Sequence, residues 1–185
     1  MLLTDRPLVQ RDIEIAAPPA VVWELVTDPA KMGTFSPENT GGSWDPPFTE
    51  GAPGASFTSG NRRGDMRWSR RSTVLIWSPP RQFAFAVTDP GDPGGDPAHP
   101  IAVWRYQLHP LRGDGTWLCE SVDFGTARSP LTDRIAEVPD KHERVVAARC
   151  REHARNIDAT LRAIKAAAEE SRGAAPGGAA PHSVT

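Results

Sequence analysis

The segment LVQRDIEIAAPPAVVWELVTDP, residues 8–29, changes its hydrophobic period once, and that change sets the architecture. Toward the end of Leu8–Ile15 apolar and polar residues alternate, with Ile13 and Ile15 on one face, the period of a half-buried strand. Beyond it, Pro18 and Pro19 suit a helix start. Val21, Val22, Leu25 and Val26 then form an i, i+3, i+4 stripe, which Pro29 ends. Residues Ala30 to Phe35 have room for a second short turn of helix before Pro37. The chain therefore opens with a strand and two short helices.

Outward from this segment, Gly and Pro divide the middle of the chain into further strands: Gly42 to Asp45, Ala55 to Asn61, Met66 to Trp77, Arg81 to Thr88, Ile101 to His109 and Gly115 to Phe124. The link at Ser78 to Pro80 is short enough for a hairpin. The stretch DPGDPGGDPAHP, Asp89 to Pro100, is too rich in Pro and Gly to pair and is expected to be a mobile excursion. A connection containing Pro130 and Pro139 leads to Lys141–Ala168, which has neither Gly nor Pro. There Val146, Cys150, Ala154, Ile157, Leu161, Ile164 and Ala168 make one continuous stripe along a rod of roughly 40 Å.

The expected fold is α+β: a curved antiparallel sheet of about seven strands wrapped around one long C-terminal helix, with two short helices after the first strand. Residues 1–170 would form a single ligand-binding domain, and the Ala-, Gly- and Pro-rich segment 171–185 a disordered tail. With 185 residues, 38% hydrophobic and 24% charged, the chain suits one loop-rich domain. A net charge of -2, with Lys and Arg scattered, gives no electrostatic footprint for nucleic acid. No apolar run approaches the ~20 residues of a membrane span, and Cys119 and Cys150 do not make a disulfide framework. A cytoplasmic, untargeted monomer or homodimer is the expectation.

Three local patterns carry a resemblance: IEIAAPPAVVWELVTDPAKM at residues 13–32, VWRYQL at 103–108 followed by Gly115-Thr116 and Val122-Asp123-Phe124, and the long terminal helix. The chain resembles the START-like superfamily, which includes polyketide cyclases and dehydrases and lipid-transfer domains. That resemblance implies a helix-grip fold. A strongly bent sheet cannot pack flat on one helix, so a hollow remains that gains stability from an apolar guest.

Alternation sorts the residues that could act in such a hollow. Trp104, Tyr106 and Leu108 share one face of their strand, and Thr116, Leu118 and Glu120 share one face of the next. If the leucines look inward, so do Trp104, Tyr106 and Glu120. A carboxyl facing an apolar hollow has a raised pKa and suits general acid or base work; the alternative is that Glu120 points to solvent beside Arg105. Resemblance to aromatase and cyclase enzymes further implies that Trp104 lines the cavity, and that Trp68 with Arg70 or Arg71 contacts substrate oxygens. Arg70 shares a face with Trp68, so it is the better candidate. Its guanidinium would polarise a carbonyl.

Arg70, Tyr106 and Glu120 are thus the candidate catalytic residues, and Glu38, Phe57, Asn61, Trp68, Phe85, Trp104, His153 and Ile157 the candidate ligand contacts. No two histidines stand at metal-ligand spacing, and there is no nucleophile elbow, phosphate loop or CxxC pair, so neither a metal nor another cofactor is expected. The function read from these residues is binding of a hydrophobic or aromatic small molecule. An enzyme of cyclase or dehydratase type, a carrier of a lipid or hydrophobic metabolite, and an interaction domain on the same frame all remain open.

Overall fold

The computed structural model describes residues 1–89 and 95–173. The first strand, β1 (Leu8–Ile15), leads into α1 (Pro19–Val26) and α2 (Pro29–Phe35), then β2 (Asn39–Trp44), β3 (Ser56–Arg63), β4 (Met66–Ser78) and β5 (Gln82–Thr88). The chain continues as β6 (Ala102–Leu111), β7 (Gly115–Phe124), α3 (Pro130–Glu137) and α4 (His142–Gly173). The strands form one antiparallel sheet in the order β1-β7-β6-β5-β4-β3-β2, a meander in which the first strand pairs with the last. This is the expected helix-grip arrangement.

Local chemistry accounts for the junctions. Pro29 cannot donate a helical hydrogen bond, so α1 stops at Val26, while Asp28 restarts the helix by accepting from the Ala30 amide at 2.9 Å. The connection after β7 was expected to hold no element, yet it contains α3. Ser129 and Thr132 cap that helix reciprocally, with Pro130 at its first position. Helix α4 runs five residues past Ala168, so Ser171 to Gly173 belong to it and not to a tail; residues 174–185 lie outside the described residues.

The excursion at 89–100 is described only in part, since 90–94 lie outside the described residues. Its second half is a hydrogen-bonded turn, with the His99 and Ala98 amides donating to the carbonyl and side chain of Asp96.

Helix α4 lies chiefly against β1. Lys165 donates to the Glu14 carbonyl, and Glu169 accepts from the Ala16 amide. Its residues Val146, Ile157, Leu161, Ile164 and Ala168 are almost wholly buried, each of the larger ones stabilising by about 1.5–3 kcal/mol. Cys150 and Ala154, expected on the same stripe, are only partly buried. Neither lines the hollow between α4 and the sheet, which Arg149 and His153 face at the same level.

One end of that hollow is closed by rings in edge contact: Trp23 on Trp77, Trp44 on Phe57 and Trp77, and Trp77 on Phe83. Trp77 joins them because of a bulge. The register of β4 against β5 skips Leu75, between Val74 and Ile76, which reverses the alternation and turns Trp77 to the inner face.

Candidate ligand cavity

Between the inner face of the sheet and α4 lies a cavity of about 480 Å³, within the range of small-molecule sites, ~300–1,000 Å³. All eleven candidate residues stand in its wall: Glu38, Phe57, Asn61, Trp68, Arg70, Phe85, Trp104, Tyr106, Glu120, His153 and Ile157. Strand registry explains the placement. Leu108 faces Leu118 and both are buried, so the paired residues two steps along, Tyr106 and Glu120, face inward with them. In β4 the same alternation puts Trp68, Arg70 and Ser72 in the wall. Arg71 goes to the other face, where it pairs with Asp45 at 3.3 Å and donates to Ser56 Oγ.

At the Glu120 end of the cavity two buried polar side chains meet. The Tyr106 hydroxyl donates to Glu120 Oε1 at 3.1 Å, both side chains being buried, and Glu120 Oε2 has no hydrogen-bond partner among the described residues. Burial lifts the Glu120 pKa to about 8, against the opposing effect of the Tyr106 bond. Burial, and then the neighbouring Glu120 charge, push Tyr106 well above the ordinary phenol value, so it remains a donor. With Oε1 already accepting, the proton of the neutral carboxyl belongs on Oε2. An inward register and burial together favour the neutral carboxyl, and one ordered neighbour steadies it.

Arg70 is not part of that group. Glu120, Tyr106, Phe83 and Trp77 lie in one row across the sheet, and Arg70 is seven residues from Trp77 along β4 with one residue bulged out. The two groups are therefore separated by on the order of 20 Å along the strand direction. Arg70 donates to the Ser69 carbonyl at 2.9 Å and sits 3.8 Å from Asp89. Burial lowers its pKa, with Asp89 acting in the opposite sense. The three residues expected to act together thus occupy two stations, an acid at one end and a cation at the other.

Glu38 has a partner that the sequence did not disclose. Arg149 of α4 holds its carboxylate with two bonds, 2.7 and 3.0 Å, and also donates to Glu152 at 2.8 Å, while Asn156 donates to Glu38 at 3.2 Å. Arg63 completes the cluster by pairing with Glu152 at 2.7 Å. Burial works against the Arg149 charge, but these carboxylates outweigh it and raise its pKa. The cluster ties α4 to the α2–β2 link and to the end of β3. The Asn61 side chain makes no hydrogen bond to any described residue, whereas that of Asn39 spans to Ser59 Oγ at 3.2 Å.

Sequence reasoning missed Arg149 and Asn156 because it followed the apolar stripe of α4. The face lining the cavity is the adjacent one, Arg149, His153, Asn156, Thr160 and Ile164. The available signal was the four-residue step from Arg149 through His153 to Ile157. Three or more His, Cys, Asp or Glu side chains arranged to hold a metal ion are not found among the described residues. No helix among them is long and apolar enough to cross a membrane.

A seven-stranded sheet gripping a terminal helix around a mainly apolar hollow defines the helix-grip class. Within it, the chain belongs to the polyketide cyclase / dehydrase and lipid transport family, whose model matches residues 6–169. Among solved structures it is similar to the polyketide-cyclase-like protein Cgl2372 of Corynebacterium glutamicum, with 29% identity, TM-score 0.62, and 93% of this chain and 97% of that one covered. It is also similar to the Zhui aromatase/cyclase of Streptomyces sp. R1128, with 22% identity, TM-score 0.65 and coverage of 94% and 99%. The major latex-like protein 151 of Panax ginseng shares the fold at 12% identity, TM-score 0.58 and coverage of 88% and 97%. No curated protein matches the chain.

Proposed function

We propose that the protein is an enzyme of cyclase or dehydratase type that folds an oxygenated hydrophobic or aromatic substrate inside its cavity and removes water with Glu120. The observation that carries this reading is the neutral Glu120 carboxyl in the cavity wall, steadied by Tyr106 and with Oε2 left over. A carboxyl with a pKa of about 8 is protonated at neutral pH and close enough to it to cycle. In dehydration of a β-hydroxy ketone, the Oε2 proton goes to the hydroxyl as its carbon–oxygen bond breaks, and water leaves. The α-proton of the same molecule returns to the carboxylate as the carbon–carbon double bond forms. The sum is substrate to alkene plus water, with no change of oxidation state and the enzyme restored.

Arg70, at the far station, would hold a second oxygen and fix which carbon lies at Glu120, so that orientation supplies much of the rate. Trp68 and Trp104 provide flat walls for rings. The large apolar share of the wall also favours a second reading, a carrier of a hydrophobic metabolite, which needs no acid at all.

The test uses the aldol adduct of benzaldehyde and acetone, whose dehydration to benzalacetone is followed by near-ultraviolet absorbance. Dehydration above the buffer rate, reduced about 10²–10⁴-fold in Glu120→Gln, is the expected result. A saturable complex with no turnover, unchanged by that substitution, selects the carrier.

A further inference from the structure

His153, like Asn61, is a residue of the wall whose side chain makes no hydrogen bond to a described residue. It is buried at 8% exposure, and its ring is caught edge-on between Trp104 and Phe124, each 5.3 Å away between centroids. Its ring nitrogens are not sealed off in the protein, since Glu120 Oε2 alone is a buried side-chain nitrogen or oxygen without a partner among the described residues. Burial, followed by the charges of Arg149 and Arg63, drives the His153 pKa down to about 3, so the imidazole is neutral. A neutral imidazole always carries one donor and one acceptor, and in the cavity wall both are open to a guest.

The unmatched oxygen of Glu120 belongs to β7, whose Phe124, four residues along on the same face, touches the His153 ring. Trp104, which touches His153, is two residues from Tyr106 on the inner face of β6, and Tyr106 opposes Glu120 in β7. Along the wall this places the two groups on the order of 10 Å apart. The wall between them is aromatic and aliphatic.

We propose that the cavity selects an uncharged, ring-containing molecule bearing a hydroxyl or carbonyl at each end, one end bonded by His153 of α4 and the other by Glu120 of β7. His153 is then a positioning residue, setting which end of the molecule reaches the acid. The proposal rests on the cavity being the ligand site, and it deepens that reading by naming the substrate class.

The test compares hydroquinone, whose two hydroxyls and the hydrogen bonds they make together span about 11 Å, with phenol by calorimetric titration near pH 6.5. The diol is expected to bind about tenfold tighter, one hydrogen bond's worth. His153→Phe should bring the diol to within about twofold of phenol, and His153→Gln should restore part of the preference. Equal binding of the two probes by the native protein overturns the proposal, as does a preference that survives His153→Phe. Should that variant not fold, the native comparison and His153→Gln decide. Loss of the dehydration reaction with the diol preference intact would sink the enzyme reading alone.

Discussion

Glu120 folds into a site that favours its neutral form, so folding takes up a proton wherever the unfolded chain has lost it. Below pH 4.5, the ordinary value for the group, both states are protonated and stability is flat. From there to about 8 the folded chain holds the extra proton, and stability falls as pH rises, by up to ~1.4 kcal/mol per unit. Above about 8 the folded carboxylate is charged, and the penalty is constant. Glu120→Gln keeps the shape and removes the titration. Its urea midpoint is expected to match the native protein near pH 4, to exceed it increasingly up to about pH 8 and to keep a constant lead above that; midpoints that run parallel between pH 4 and 8 would show that Glu120 is not desolvated. Activity of the native enzyme should fall over the upper part of the same range, as the acid is lost. The residue could be assigned to the inner face from sequence because Leu108 and Leu118 fixed the parity of two neighbouring strands. Its unpaired oxygen could not, since that depends on what the curved sheet brings opposite.

The β7–α3 junction turns on Gly125. Its amide donates to the Ile101 carbonyl at 2.8 Å, and a Cβ added there would strike the Pro100 carbonyl, which is backbone and cannot swing aside. Gly125→Ala should therefore cost ~1–3 kcal/mol and loosen the approach to α3, whose Leu131 and Arg134 line the cavity. Urea denaturation checks the first effect, and faster amide exchange at residues 126–137 the second; an unperturbed protein would mean that the junction shifts at no cost. Regular elements were legible from the chain because period and punctuation agreed: β1 and β7 begin and end at the expected residues, and the two short helices follow from Pro19 and Pro29. Irregular features were not. The bulge at Leu75 leaves no mark in the alternation of residues 66–77, so the inward turn of Trp77 is a product of pairing with β5. Helix α3 was hidden in a Pro-containing connection although Ser129-Pro130 with Thr132 is a cap signal. The clasp of Glu38 by Arg149 joins residues 111 positions apart, and nothing local announces it.

For the molecule as a whole, the hollow follows from bending one sheet round one helix, and its occupation should be felt in global stability whatever the polar residues do. A guest that binds only the folded state stabilises it by ~2.7 kcal/mol at a hundredfold excess over its dissociation constant. For a chain of this size that corresponds to a rise in Tm of roughly 5–10 °C. Biphenyl-4-ol is expected to give such a rise in the native protein and in Glu120→Gln alike, because burial of its rings against Phe57, Phe85 and Trp104 supplies most of the free energy. Ser72 offers the contrasting case. It lies on the inner face of β4, opposite Phe57 of β3 and Val87 of β5, so Ser72→Phe would place a ring in the space the guest needs. That variant should keep a cooperative transition and lose the response to biphenyl-4-ol. A rise in Tm that persists in Ser72→Phe would put the guest outside the cavity, and a rise abolished in Glu120→Gln would make one hydrogen bond, not the filling of the hollow, the source of binding.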